Sequence, residues 1–169
     1  CVMIAEADGQ MQRDYWYDYG RRADLLTDAA SIGRIAAERT VSRLGARSVP
    51  TCDVPVLFAA ELAGGLFGSL LGAIAGGNQY RNSSFLVGAL GQTLFPEWLT
   101  LDERPLLKGG LSSSAFDGDG LATYAKPFIE QGVLANYMLS TYSGRKLGMP
   151  STANAGGARN AFVTHGNDA

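Results

Sequence analysis

The sequence predicts an α+β chain, and three observations predict it. A hairpin signal, Ala7-Asp8-Gly9, lies between two strand-like runs at the start. Helical patterns fill the middle, and a second hairpin signal, Gln131-Gly132, follows a loop of Gly, Ser and Asp. Val2, Ile4 and Ala5 form the first strand, and Gln10 to Tyr19 is the return strand. Asp-Gly is among the strongest two-residue hairpin signals because both turn positions need positive φ. Thr27 or Asp28 can cap a helix that runs to about Leu44, with Gly45 just past its end. Ile32, Ile35 and Ala36 give that helix an apolar stripe, and Arg34 with Glu38 forms an i,i+4 pair.

After a polar connection around Pro50, Val54 to Phe58 reads as a short buried strand and Ala60 to Ala75 as a helix closed by Gly76-Gly77. A second short helix is expected over Phe85 to Leu94, before Pro96. Leu99 to Leu101 reads as a strand, and Lys108 to Gly120 as a loop. Pro127 to Glu130 and Val133 to Tyr137 flank the Gln131-Gly132 turn. A two-turn helix covers Ser140 to Leu147 with Gly148 as its cap, and Ser151 to Asn160 is a small-residue loop. A change of character near residue 97 marks a domain boundary, dividing 1–97 from 98–169.

Composition narrows the function. Apolar residues are 46% of 169 and charged residues 18%, enough for a core without disulfide or metal support. A net charge of −2 excludes a polyanion-binding surface as the main role, so no nucleic-acid partner is expected. Tyr15, Trp16, Tyr17 and Tyr19 are accordingly read as sheet packing rather than as a base-stacking platform. Two cysteines, Cys1 and Cys52, fit a reducing, cytoplasmic setting. With the single His165 they cannot complete a four-ligand zinc site of Cys and His. The non-Met start and the uncapped end read as an internal fragment of a longer protein.

Gly64, Gly68, Gly72 and Gly76 recur every four residues, which winds them slowly round one helix face. Each interior Gly costs about 1 kcal/mol against Ala, so close approach by a neighbour is the expected compensation. Pro55, Glu61 and the glycine content argue against a membrane span, and a tightly packed helix of a globular domain is expected instead. Ser112-Ser113-Ser114 lacks a nucleophile-elbow context, and Asp117-Gly118-Asp119-Gly120 lacks the remaining ligands of a calcium loop, so both read as turns. Tyr142 and Lys146 share a face at i,i+4. Beside them, Ser151 to Gly157 offers small residues with accessible backbone N–H groups, a surface loop or an edge for an extended peptide.

Three segments in order, PVLFAAELAGGLFGSLLGAIAGG, GGLSSSAFDGDG and GVLANYMLSTYSGRKLGMPSTANAGG, closely resemble the TldD/PmbA family, also called modulators of DNA gyrase. The stretches Tyr142 to Gly148 and Asn154 to Gly157 are similar to its PmbA (TldE) branch, with Gly144 in place of the more usual Ala. The resemblance implies the tail of an N-terminal α/β domain over 1–97, and the start of a mainly β C-terminal domain over 98–169. It also implies a cytoplasmic peptidase of unfolded or extended peptides. In the TldD branch a His-Glu-x-x-x-His helix and a later Cys bind zinc, and the Glu activates water. Here Leu66 and Leu71 stand in the two His positions and Phe67 in the Glu position, so these are degenerate metal-helix sites. The resemblance therefore implies a chain with no catalytic or metal-binding residue of its own, heterodimeric with a zinc-bearing TldD-type subunit. Tyr142, Arg145 and Asn154 are its implied substrate-contacting residues. The alternative is a non-enzymatic module that binds peptides or a partner.

Overall fold

Alternating side chains and an Asp-Gly turn build the first element pair. Strands β1 (Val2–Ala7) and β2 (Gln10–Tyr15) are antiparallel in the register Ala7↔Gln10 to Val2↔Tyr15. Asp8 and Gly9 both take positive φ, 51° and 74°, which gives the turn the twist the strands need. The return strand stops at Tyr15, and Tyr15, Tyr17 and Tyr19 are exposed. Their rings stack on one another at 5.9 and 5.6 Å rather than packing under a sheet, which corrects the expectation. Helix α1 (Ala29–Ser42) lies on this hairpin through Ala36 and Thr40, both buried. Asp28 caps it by accepting from the Ser31 N–H at 2.9 Å.

The model is a computed structural model and describes residues 1–164. They fall into two compact units divided between Val56 and Leu57, and not near residue 97. The reason is the core of the second unit. Leu70, Ile74, Leu86 and Ala89 share one buried cluster with Leu99, Leu101, Phe128, Ile129, Leu134, Tyr137 and Leu139. Apolar burial at about 25 cal/mol per Å² holds both sides of residue 97 in one body.

In that unit, helix α2 (Ala60–Ala73) presents Phe67, Leu70 and Leu71 to the core. Helix α3 (Gly76–Tyr80) follows at once, so α2 closes at Ile74 and Gly76-Gly77 opens a new helical turn. A four-stranded antiparallel sheet has the order β5-β4-β3-β6, with β3 Thr100–Glu103, β4 Lys126–Glu130, β5 Val133–Leu134 and β6 Ala161–Thr164. Pro127 of β4 stands opposite Asp102, beside a register shift in β3. A strand tolerates a missing N–H at such a place. Gln131 and Gly132 turn β4 into β5 with φ of 47° and 81°. Helix α4 (Thr141–Leu147) begins in a Ser140/Ser143 capping box and ends at Gly148, which is left-handed at φ 68°.

Two expected elements are absent among the described residues. Val54 to Phe58 is exposed and unpaired, with Leu57 at 98% exposure, so it is not a buried strand. Phe85 to Leu94 is a run of turns, not a helix. Gly88 and Gly91 take positive φ, and the backbone bonds outward to the β4–β5 hairpin. The Gly91 N–H donates to Leu134 O at 2.8 Å and the Leu94 N–H to Gly132 O at 2.8 Å, while Leu134 N–H donates to Gln92 O at 3.0 Å. Those partners replace the i→i−4 bonds a helix would have made.

The glycine row also departs from expectation. Added Cβ atoms at Gly64, Gly68 and Gly72 would meet nothing within 4 Å, so no part of this unit packs on that face. Only Gly76 is tight, where a Cβ would run into Ser143 and Leu139. No helix among the described residues is long and apolar enough to cross a membrane.

Candidate functional site

The end of α2 meets the start of α4 across a short backbone exchange. The Gly76 N–H donates to Met138 O at 2.9 Å and the Met138 N–H to Ile74 O at 3.0 Å. Because Gly76 lacks a side chain, α3 sits directly against Ser143, whose hydroxyl accepts from the Ser140 N–H at 2.9 Å. Gly144 is equally constrained, since a Cβ there would approach Met149 O to 2.7 Å. It fits α4 against its own exit rather than loosening the helix.

Between these elements lies a cleft of about 340 Å³, with Gly76, Gly77 and Tyr80 on one wall and Tyr142, Asn154 and Gly156 on the other. Tyr80 and Tyr142 meet edge to face, with ring centroids 5.7 Å apart at 80°.

Buried charge holds the far wall in place. Glu103, 1% exposed, pairs with Lys126 Nζ at 2.5 Å. Its other oxygen accepts from Asn154 Nδ2 at 2.8 Å and from the Arg159 N–H at 2.6 Å. Asn154 Oδ1 accepts in turn from the Thr152 hydroxyl at 2.8 Å, which also accepts from the Leu139 N–H at 2.7 Å. The Asp-Gly-Asp-Gly turn braces the same wall. Asp117 accepts from the Ala155, Leu121 and Asp119 N–H groups at 3.0, 2.9 and 3.0 Å. Burial by itself raises the Asp117 carboxyl, but these three donors, with Arg159 nearby, outweigh it and hold it below its ordinary value. Asp119 accepts from the Thr141 N–H at 2.8 Å and its hydroxyl at 2.6 Å, fixing the start of α4.

The structure therefore brings together Tyr142 and Asn154 but not the other expected residues. Arg145 is exposed on α4 and does not line the cleft. Asn154 is 5% exposed, and its amide is engaged with Glu103 and Thr152, so it shapes the wall from within. The accessible N–H groups expected over 151–157 are largely taken: those of Thr152, Ala153, Asn154, Ala155 and Gly157 all donate internally. Leu66 and Phe67 line a separate apolar groove of about 550 Å³ with Leu70, Phe85, Leu94 and Phe95, and Leu71 packs on the core. These three side chains offer no donor atom, and no group of three or more His, Cys, Asp or Glu converges among the described residues. Zinc does not fit α2. His165 lies outside the described residues.

Sequence reasoning missed Tyr80, Glu103 and Lys126. The only signal for the last two was a charge at an inward position of each strand, Glu103 in β3 and Lys126 in β4.

The fold and this arrangement define a domain of the PmbA/TldD metallopeptidase family. Residues 51–169 match the model of the PmbA/TldA metallopeptidase C-terminal domain. The chain is 48% identical over 160 residues to metalloprotease PmbA of Escherichia coli O157:H7, covering 95% of this chain and 35% of that protein. It is 39% identical over 163 residues to the PmbA homolog of Haemophilus influenzae, covering 96% and 36%. A Thermotoga maritima crystal structure named for modulation of DNA gyrase superposes with a TM-score of 0.84 at 30% identity, over 98% of this chain and 39% of that one. TldE of Thermococcus kodakarensis, at 23% identity, shares the fold with a TM-score of 0.67 over 97% and 39%. The chain belongs to the PmbA/TldD family, and it spans just over a third of the length of the relatives it matches.

Proposed function

We propose that this chain is part of a PmbA/TldE-type subunit that carries no metal and works in the cytoplasm as a heterodimer with a zinc-bearing TldD-type subunit. Together the pair degrades or matures unfolded peptides. The observation that carries this reading is the chemistry of α2: Leu66, Phe67 and Leu71 stand where the resemblance places two metal ligands and a base, and none can bind an ion or move a proton.

The role left to this chain is to hold an extended substrate. In that role the cleft beside Gly76-Gly77 takes the peptide. Glycine walls let a backbone approach closely, Tyr142 supplies an aromatic face, and Asn154, Asp117 and Asp119 keep the opposite wall rigid before substrate arrives. Arg145, exposed beside Tyr142 on α4, contacts substrate outside the cleft proper.

The test is to purify the full-length protein alone and with its TldD-type partner, then measure zinc content and cleavage of an unstructured peptide. Cleavage and one zinc found only in the pair support the proposal. Stoichiometric zinc on this subunit alone overturns it. Peptide binding without cleavage in either preparation replaces it with a non-enzymatic binding module.

A further inference from the structure

Two cations, Arg81 and Lys146, stand beside the cleft. Arg81 lies over Gly77 on the cleft wall, where an added Cβ would come within 3.2 Å of its guanidinium. Its hydrogen-bond partners among the described residues are neutral. Nη1 donates to the Tyr80 hydroxyl at 3.1 Å, Nη2 donates to Asn78 Oδ1 at 3.2 Å, and the guanidinium carbon stands 5.2 Å from the Tyr80 ring. Across the aromatic pair, Lys146 Nζ stands 5.7 Å from the Tyr142 ring. Neither cation has an ion-pair partner among the described residues. The acids of this region are engaged elsewhere, with Asp117 and Asp119 accepting from N–H and hydroxyl groups and Glu103 buried against Lys126. A guanidinium fixed by hydrogen bonds, with donors left over and no counter-charge, is prepared for a carboxylate.

We propose that Arg81 and Lys146, set on the Tyr80–Tyr142 pair, make this cleft select peptides that carry a carboxylate. The inference rests on the peptide-binding reading of the cleft and adds the chemical class of its ligand. Arg81 stands against Gly77 of the cleft wall, while Lys146 lines an adjoining pocket that shares Tyr80 with the cleft, so both cations are in reach of an extended chain lying across the aromatic pair. The carboxylate comes either from an acidic side chain or from a peptide's C-terminus.

Four labelled unstructured peptides separate these sources: Glu or Gln at one central position, each as free acid or C-terminal amide. Their affinities are measured by fluorescence anisotropy with the full-length protein in its heterodimer, for wild type and for the Arg81→Gln/Lys146→Gln double variant. Wild type binds carboxylate-bearing peptides about fivefold more tightly than the neutral amide at low salt, and the preference fades at high salt. In the double variant the preference falls to about one while the neutral peptide binds as before, which also shows that the fold is intact. A preference following Glu over Gln assigns the carboxylate to a side chain, and one following acid over amide assigns it to the chain end; either supports the inference. Equal affinity for all four peptides, or a preference the double variant retains, overturns the inference and leaves the peptide-binding reading standing. Failure to bind any peptide overturns both.

Discussion

Replacing Gly76 with Ala tests the junction on which the cleft depends. The new Cβ would meet the Ser143 hydroxyl, the Ser143 Cβ at 2.6 Å and a Leu139 methyl at 2.8 Å. None of these can withdraw easily. Leu139 is fully buried, and the Ser143 side chain closes the capping box of α4. Overpacking of this kind costs about 1–3 kcal/mol. Displacing α3 also strains the Gly76–Met138 and Met138–Ile74 bonds, so a loss near 3 kcal/mol is expected. At roughly 4 °C per kcal/mol for a body of this size, thermal unfolding falls by about 12 °C. The control is Gly68→Ala in the same chain, where a Cβ meets nothing within 4 Å. Helix propensity alone then raises stability by up to about 1 kcal/mol. Circular-dichroism melts and urea titrations of the two variants measure the difference. If Gly76→Ala melts with the parent chain, or Gly68→Ala is the worse of the two, the close-approach argument fails.

Glu103→Gln leaves Lys126 buried at 4% side-chain exposure without its carboxylate partner, and urea unfolding should show a loss of about 3–5 kcal/mol. Adding Lys126→Met to it should recover much of that loss, because neither partner then leaves an unpaired buried charge. Asp117 gives a pH signature. Its carboxyl is held below the ordinary 3.8 in the folded chain, so its stabilisation is fully present above that value. It is lost as pH falls from about 3.8 through the lower folded value. Unfolding midpoints measured from pH 5 downward should decline less steeply in Asp117→Asn, whose overall stability is lower at pH 7. An identical acid slope in both chains would contradict the assignment.

Much of the local structure is legible in the sequence because its signals are short-ranged. The Asp8-Gly9 and Gln131-Gly132 turns, the Asp28 cap and the Gly148 exit each depend on backbone conformations that only a few residue types adopt cheaply. The misread elements depend on distant partners. The apolar content of Phe85 to Leu94 fits a helix, yet its backbone bonds to residues 132 and 134 instead. Val54 to Phe58 is rich in apolar side chains, yet among the described residues no strand pairs with it. The candidate site divides in the same way. Tyr142 and the glycines were visible as a cluster of motifs, whereas the engagement of Asn154 with Glu103 joins residues 51 apart.

By itself the sequence determined the α+β class, the family, and the placing of apolar side chains at Leu66, Phe67 and Leu71, which no fold can turn into metal ligands. The tertiary structure alone decided which of four regularly spaced glycines is needed for contact, which charges are buried, and which cations have no counter-charge among the described residues. Side-chain chemistry is fixed by covalent structure. Burial and charge balance instead arise from groups far apart in the chain that only packing brings within a few ångströms.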